Sequence, residues 1–216
     1  MKKIKNILLI GPQGSGKDTQ SEMLARKRKV PFIVMGDLFR REIEKKSRLG
    51  NLLANLMNKG ILVSDKITFA ILKNRLRKND ALKGFILNGF PRNLKQAKML
   101  GKLVKIDLVI ELWISDKESL RRLAGRRFCP GCSATYHLFY KKPKEKNICD
   151  KCGHSLITRK DDKIPVIKKR LGIYHRQTEP IFRYYKKNSR YLKTNGEQPI
   201  KRVFLDIGRE IKNLAK

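Results

Sequence analysis

The feature that most constrains the fold is a glycine-rich segment placed between a predicted strand and a predicted helix. Residues 4–10 form an apolar, β-prone run, and residues 19–28 have helical spacing. Between them the sequence reads GPQGSGK over residues 11–17. Glycines in that context let backbone N–H groups wrap a polyphosphate below a helix N-terminus, and Lys17 then reaches the outer phosphates. The segment predicts a phosphate loop; an ordinary glycine-rich turn is the alternative.

Further apolar runs predict an α/β fold with a largely parallel central sheet. Residues 85–87 and 108–114 are short apolar runs, each followed by a polar stretch with helical spacing. Residues 191–194 are a weaker strand candidate. In the tail the apolar residues fall on one helical face, so we predict a helix that begins near Pro199.

Two segments interrupt the alternation of strands and helices. Residues 36–63 have the pattern of short helices, whereas residues 125–162 are rich in Lys, Gly, Pro and Cys. We interpret both as insertions into one principal domain, for which 216 residues supply a sizeable core.

The cysteines fall in two tight pairs, and the chain has four in all. Cys129 and Cys132 form the first pair, Cys149 and Cys152 the second, with residues 133–148 between them. This spacing is typical of two knuckles that share one tetrahedral zinc ion, and four thiolates leave no open position for a substrate. We therefore predict one structural zinc per chain, whose binding supplies folding free energy to a polar segment. Iron in the same sulfur site and unmetallated thiols are the alternatives.

The charge is strongly positive, with 52 Lys and Arg against 19 Asp and Glu and a formal net charge of +33. Such a charge attracts nucleotides, RNA or an acidic membrane surface without choosing among them. Because the lysines are spread over the whole chain, a solvated surface accounts for most of them. No apolar run approaches the roughly 18 residues of a membrane span, and no secretory signal is present, so we predict a cytoplasmic protein without a membrane partner. A zinc-ribbon RNA-binding protein is the alternative from another class, with nucleic acid as its partner.

Several stretches resemble the adenylate kinase family. Residues 11–20, GPQGSGKDTQ, are similar to its phosphate loop, and residues 84–92, GFILNGFPR, with Gln96 beyond them, are similar to its most specific motif. Residues 125–127 and 158–162, which flank the cysteines, are similar to the lid edges of bacterial members with zinc. The resemblance implies a P-loop kinase that converts ATP and AMP reversibly into two ADP, with magnesium accompanying ATP, and a monomer.

The resemblance also implies a division of the chain. The core comprises residues 1–33, 64–124 and 163–216, the AMP-binding subdomain residues 34–63, and the zinc-binding lid residues 125–162. Arginines and one lysine suffice for the implied reaction because phosphoryl transfer requires stabilisation of spread charge and no general base.

Site residues follow from the same resemblance. The catalytic cations it implies are Lys17, Arg92, Arg126, Arg159 and Arg170. Those implied for ATP are Gly14, Ser15, Gly16, Lys17, Asp18, Thr19, Arg122, Arg126, Thr135, Tyr136 and Gln198. Those implied for AMP are Met35, Arg40, Ile61, Leu62, Val63, Gly89, Phe90, Pro91, Arg92, Gln96, Arg159 and Arg170. Asp161 and Asp162 either orient the closed lid or lie on its surface, and His137 and His154 are not expected to bind the metal.

The chain departs from the family pattern at three positions. Asp18 replaces a glycine, and we expect its carboxylate to face away from the phosphates, which it would repel. Met35 replaces a threonine at the acceptor site, whereas Gln96 favours adenine there; a different acceptor, or GTP as donor, is therefore the alternative within the class. Asn88 replaces an aspartate that holds water around magnesium, so the ion is expected to rely more on phosphates and water.

Overall fold

The computed structural model describes residues 4–159 and 162–214. The strands of its main sheet are β1 (Asn6–Ile10), β2 (Phe32–Val34), β3 (Phe85–Asn88), β4 (Leu108–Trp113) and β7 (Arg190–Asn195). They are all parallel and lie in the order β2-β3-β1-β4-β7. A separate antiparallel pair consists of β5 (Arg126–Phe128) and β6 (Thr135–His137). The predicted α/β fold with a largely parallel sheet is confirmed.

Helices cover both faces of the main sheet. They are α1 (Lys17–Arg28), α2 (Met35–Glu44), α3 (Arg48–Asn58), α4 (Asp65–Leu76), α5 (Leu94–Leu103), α6 (Asp116–Ala124), α7 (Ile164–Ile173), α8 (Ile181–Asn188) and α9 (Ile200–Asn213). A π-helical turn, Tyr174–Thr178, lies between α7 and α8. Among the helices that the structure describes, none combines the length and the hydropathy needed to cross a bilayer.

Strand β1 occupies the centre of the sheet because its side chains are buried on both faces. Leu8 and Ile10 belong to the core beneath α2, α3, α4 and α5. Ile7 and Leu9 belong to the opposite core, into which α1 and α9 insert apolar side chains. A continuous apolar run is what a parallel strand covered on both faces requires. Since β1 is flanked by β3 and β4, the loop that follows it opens at the carboxyl edge of the sheet, where open α/β sheets bind ligands.

The outlying elements match the sequence pattern closely. The tail forms helix α9 from Ile200 with Pro199 as its N-cap, as predicted, and buries Val203, Ile207 and Ile211. The weaker strand candidate at residues 191–194 is the parallel strand β7, paired with β4 along its whole length. The short helices expected within residues 36–63 are α2 and α3.

His175 connects the π-helical turn to the start of α6. Its Nε2 donates to Oδ1 of Asp116 at 2.9 Å, and its Nδ1 lies 3.2 Å from Oε2 of Glu179. Partial burial alone lowers the pKa of His175, but the hydrogen bonds to the two carboxylates outweigh it and raise the pKa above its ordinary value of 6.5. The protonated imidazole therefore stabilises this junction.

We expect the contribution of His175 to stability to depend on pH. Because its pKa is raised in the folded state, the contribution is fully present below pH 6.5 and is lost as the pH rises through the folded-state pKa. Urea unfolding of the wild type and of His175→Gln, measured between pH 5.5 and pH 8.5, should give a difference in the free energy of unfolding that shrinks with increasing pH. A difference that stays constant across that range would contradict the assignment.

Candidate active site

A cavity of about 810 Å³ opens at the carboxyl ends of β1 and β3. Its wall is formed by the glycine-rich loop, the start of α1, the residues after β3, the last turn of α6, strands β5 and β6, and the loop before α9. The volume lies within the range of about 300–1,000 Å³ usual for small-molecule sites. Every element that the sequence motifs marked therefore contributes to one cavity.

The glycine-rich loop leaves the N-terminus of α1 open to a ligand. Gly14 and Gly16 adopt the left-handed conformation, with φ of 80° and 85°, which L side chains rarely adopt. Gly16 is the N-cap of α1, and within the described chain no side chain caps that helix, in contrast to the serine caps of α3, α4 and α6. Ser15 Oγ is buried and has no hydrogen-bond partner among the described residues. Uncapped amides and a buried orphan hydroxyl fit an anionic ligand.

Lys17 projects into this cavity from the first residue of α1. Its Nζ donates to the carbonyl oxygen of Pro12 at 2.9 Å. The pKa of Lys17 is lowered from 10.5 to about 8, chiefly by burial; the carboxylate of Asp18 opposes this shift, and repulsion from Arg92, Arg170 and Arg126 adds to it. Lys17 and these three arginines therefore lie close enough together to repel one another.

Arg92 is held by contacts from three directions. Its Nε donates to the carbonyl oxygen of Gly89 at 3.0 Å, its backbone N–H donates to Oε1 of Gln96 at 2.7 Å, and its carbonyl oxygen accepts from Thr178 Oγ1 at 2.8 Å. The side chain thus leaves the end of β3 in a fixed direction and lines the same cavity as Lys17.

The lid arginines are positioned by a buried ion pair and an aromatic ring. Arg126 Nε donates to Oδ2 of Asp162 at 2.7 Å, and its second guanidinium nitrogen pairs with Oδ1 of the same carboxylate, whose side chain is fully buried. The guanidinium of Arg159 stacks on the ring of Phe128 at 4.1 Å. Asp162 is therefore not a surface residue, and its carboxylate orients Arg126. Asp161 lies outside the described residues.

The lid and helix α2 meet at the same ring. The guanidinium carbon of Arg40 lies 5.8 Å from the centre of Phe128, and Arg40 also pairs with Asp37. Near the end of α3, a Cβ built on Gly60 would lie 2.9 Å from Cγ1 of Val166 and 3.4 Å from the side chain of Arg170. The contact between Arg40 and Phe128 therefore brings the two segments predicted as insertions together at the cavity, while Gly60 lies beside α7.

The residues predicted for the donor nucleotide all line the cavity. Arg122 donates to the carbonyl oxygen of Gly14 at 3.4 Å and to Oε1 of Glu118 at 2.6 Å. Thr135 is exposed on the wall, whereas the hydroxyl of Tyr136 is turned into the lid, where it accepts from the backbone N–H of Asp150 at 2.8 Å. The remaining members are Gly14, Ser15, Gly16, Lys17, Asp18, Thr19, Arg126 and Gln198.

The acceptor residues are only partly on the wall. Those that line it are Arg40, Ile61, Leu62, Val63, Gly89, Pro91, Arg92, Arg159 and Arg170. Met35 and Phe90 are buried in the core, 0% and 1% exposed. Gln96 is also buried, and its amide is engaged by the protein: Nε2 donates to Oδ1 of Asp65 at 2.7 Å and Oε1 accepts from Arg92. Base recognition by Gln96 and Met35 stays a prediction.

Asp18 does not face away from the cavity, and that expectation is wrong. Its carboxylate lies in the cavity wall, where Oδ1 accepts a hydrogen bond from Nδ2 of Asn88 at the end of β3. The physical reason is local attraction: Asn88 presents a donor, and the neighbouring ammonium of Lys17 interacts favourably with the carboxylate.

The four cysteines converge in the lid as the spacing predicted. Their Sγ atoms all lie within 4.8 Å of one another, with 3.3 Å between Cys129 and Cys152 and 3.5 Å between Cys132 and Cys149. A tetrahedral ion bound at about 2.3 Å to each sulfur requires sulfur–sulfur distances of about 3.8 Å, whereas a disulfide requires about 2.0 Å. The arrangement fits a structural zinc ion.

Backbone geometry builds two similar knuckles around these sulfurs. The N–H of Ser133 donates to the carbonyl oxygen of Cys129 at 3.0 Å, and the N–H of Gly153 donates to that of Cys149 at 2.9 Å. Ser133 and Gly153 both have positive φ, 60° and 73°. His137 is engaged elsewhere: its Nε2 bonds the carbonyl oxygen of Arg122 at 3.0 Å and its Nδ1 accepts from the N–H of Phe139. Both of its ring nitrogens therefore have backbone partners, and His137 lies outside the cluster of four sulfurs.

Three site residues escaped the sequence analysis. Phe128 supports Arg40 and Arg159, while Asp65 and Thr178 fix Gln96 and the backbone of Arg92. No local pattern marks these residues, because each acts on a partner from a distant part of the chain. The support of Arg122 by Glu118 could have been found from their i, i+4 spacing.

We expect Cys129→Ser to destabilise the lid before it affects the phosphate loop. Loss of one of four thiolates removes several kcal/mol of metal-linked folding free energy, which should lower the melting temperature by on the order of 10 °C. The measurement is thermal unfolding by circular dichroism together with the zinc content of the purified protein, with His154→Gln as the matched control beside the site. An unchanged melting temperature and zinc content in Cys129→Ser would contradict the assignment of a structural zinc ion to the four cysteines.

Comparison with known proteins gives one consistent result. A family profile described as "Adenylate kinase" matches residues 9–190. The adenylate kinase of Thermoanaerobacter sp. (strain X514) is 39% identical over 215 residues, covering 97% of this chain and 99% of that relative. That of Methanocella arvoryzae is 42% identical over 213 residues, covering 96% and 99%. That of Treponema denticola is 46% identical over 182 residues, covering 84% and 87%. With a matching profile and relatives aligned over nearly its whole length, the chain belongs to the adenylate kinase family.

Proposed function

We propose that the protein catalyses the reversible transfer of the γ-phosphoryl group of ATP to AMP, giving two ADP. The observation that carries the proposal is the convergence of Lys17, Arg92, Arg126 and Arg170 on one cavity beside an uncapped helix N-terminus. Such a concentration of positive charge stabilises the negative charge that spreads over the oxygens of a phosphoryl group during transfer.

The donor phosphates occupy the glycine-rich loop in this proposal. Backbone amides of α1 bind them, Lys17 reaches the outer phosphates, and Arg122 and Arg126 approach from the other side of the cavity. Magnesium that accompanies ATP supplies further positive charge to the phosphates when it is bound. Thr135, Tyr136 and Gln198 line the part of the cavity left for the nucleoside.

The acceptor phosphate lies between Arg40 and Arg92. A phosphate oxygen of AMP forms the new bond to the γ-phosphorus, and the bond from that phosphorus to the β,γ-bridging oxygen breaks, which leaves ADP on both sides. No base is needed because the attacking phosphate is already ionised. In this proposal Arg92 contacts both nucleotides at the transferring group, and its contacts with Gly89, Gln96 and Thr178 support that role by fixing it in advance.

The lid excludes water from this transfer. We propose that residues 125–162 form the lid, residues 34–63 the AMP-binding subdomain, and residues 1–33, 64–124 and 163–216 the core. The contact of Phe128 with Arg40 supports a closed arrangement in which the lid and the AMP-binding subdomain touch. Closure protects the phosphoryl group from hydrolysis. We also propose that the protein is a cytoplasmic monomer with one structural zinc ion.

A different acceptor is the second candidate, and one observation favours it. Gln96 is tied to Asp65 and Arg92, and Met35 is fully buried, so neither presents a free polar group to an adenine edge. GTP as the donor belongs to the same alternative. Measurement of nucleoside diphosphate formation with AMP, CMP, UMP and GMP, each with ATP or GTP and with or without magnesium, distinguishes these possibilities. Turnover should be highest with ATP and AMP; RNA binding with no kinase activity would instead favour the zinc-ribbon alternative.

We expect Arg92→Ala to lower the rate of ADP formation from ATP and AMP at least about a hundredfold, because it removes a preorganised donor at the transferring group. The matched control is Arg209→Ala, which removes an exposed arginine of α9 that lies beside Asp206 and does not line the cavity. Steady-state assays of both variants, with circular dichroism to confirm folding, test the role. An Arg92→Ala enzyme within threefold of the wild type would refute it.

A further inference from the structure

The contact between Asp18 and Asn88 brings together two oxygen-bearing side chains at the phosphate loop. Asp18 is the second residue of α1, and Asn88 is the last residue of β3, so the two come from separate elements of the core. Asn88 donates its Nδ2 hydrogen to Oδ1 of Asp18, and both residues line the cavity next to Lys17. The pair is therefore built into the site that receives the donor phosphates.

The side-chain oxygen of Asn88 accepts no hydrogen bond from the described residues. The residue is 1% exposed, and its Oδ1 is buried and has no hydrogen-bond partner within the described part of the chain. Buried polar atoms are nearly always paired with protein, water or an ion. Since Nδ2 is directed to Asp18, the oxygen of the same amide is the atom of this contact whose hydrogen-bonding capacity the described residues leave unsatisfied.

The carboxylate of Asp18 also needs an explanation at this position. A negative charge beside a phosphate loop repels a polyphosphate, and the helix N-terminus offsets that repulsion only in part. Asp18 is the acidic residue of the first turn of α1, yet its carboxylate is directed to Asn88 within the cavity wall. A divalent cation between phosphate and carboxylate would convert the repulsion into attraction.

We propose that Asp18 and Asn88 together hold the hydrated magnesium ion of bound ATP, with Asp18 supplying the negative charge and Asn88 the neutral oxygen. Magnesium prefers oxygen partners and keeps several of its waters, which a carboxylate and an amide oxygen can accept hydrogen bonds from. The proposal rests on the proposed function, because it assumes that ATP occupies the loop. It assigns to Asp18 a positioning role that its place on α1 alone does not indicate.

The test is the effect of magnesium on ATP binding, measured by titration calorimetry without AMP. The quantity is the ratio of the dissociation constants for ATP in EDTA and in saturating Mg²⁺. Asp18→Asn preserves the size of the side chain and an oxygen that can accept from Asn88. We expect this variant to bind ATP in EDTA at least as tightly as the wild type, and the ratio to fall about tenfold.

The double variant Asp18→Asn/Asn88→Asp separates this role from a general effect of charge on α1. It places the carboxylate on the other side of the contact, so the ratio should return to within about threefold of the wild-type value. The matched control is Glu22→Gln, which removes a carboxylate one turn further along α1, where it pairs with Arg26 at 2.7 Å. The control should leave the ratio unchanged.

The outcomes are distinct. A ratio in Asp18→Asn within twofold of the wild type, or a double variant no better than Asp18→Asn, would overturn the role of the pair. Asp18→Gly, which removes the side chain altogether, gives a second measurement of the same loss. If the wild type itself failed to bind ATP, the proposed function would fall, whereas normal ATP binding with an unchanged ratio in Asp18→Asn removes only the present inference.

Discussion

The site depends on keeping several cations close together inside one cavity. Lys17 shows the cost, since burial and the neighbouring arginines lower its pKa to about 8. The fold meets this cost by fixing each cation to an oxygen before any ligand arrives: Lys17 to the carbonyl of Pro12, Arg92 to that of Gly89, and Arg126 to the buried carboxylate of Asp162. A phosphate that enters the cavity then finds its partners already oriented and relieves their mutual repulsion.

Much of the fold and part of the site could be predicted from sequence, because those features are encoded locally. The strand before Gly11, the tail helix and the spacing of the cysteines each depend on neighbours in the chain. The contacts that set finer function are different in kind. Asp18 and Asn88 are separate departures from the family pattern, and only the packing of α1 against β3 shows that they touch. Likewise, only the fold shows that the amide of Gln96, which is predicted to contact the acceptor base, donates to Asp65.

The lid illustrates how a segment with little core can still hold a defined shape. Its buried cluster consists of Cys129, Tyr136, Cys149 and Leu156, so two of its four members are also the candidate metal ligands. Metal binding and hydrophobic burial therefore stabilise the same few residues. Phe128, which precedes Cys129 in the chain, supports the guanidinium of Arg159 and so links the order of the lid to the geometry of the cavity.

The ion pair between Arg126 and Asp162 has a topological consequence. It joins the residue where the chain leaves α6 for the lid to the residue where the chain returns toward α7, so the ends of a long excursion are fastened side by side. Because its two ends lie side by side, the segment between them does not change the distance that the chain must span from α6 to α7. A change of length between Arg126 and Asp162 therefore leaves the two ends of the segment in place, and with them the parallel sheet and its phosphate loop.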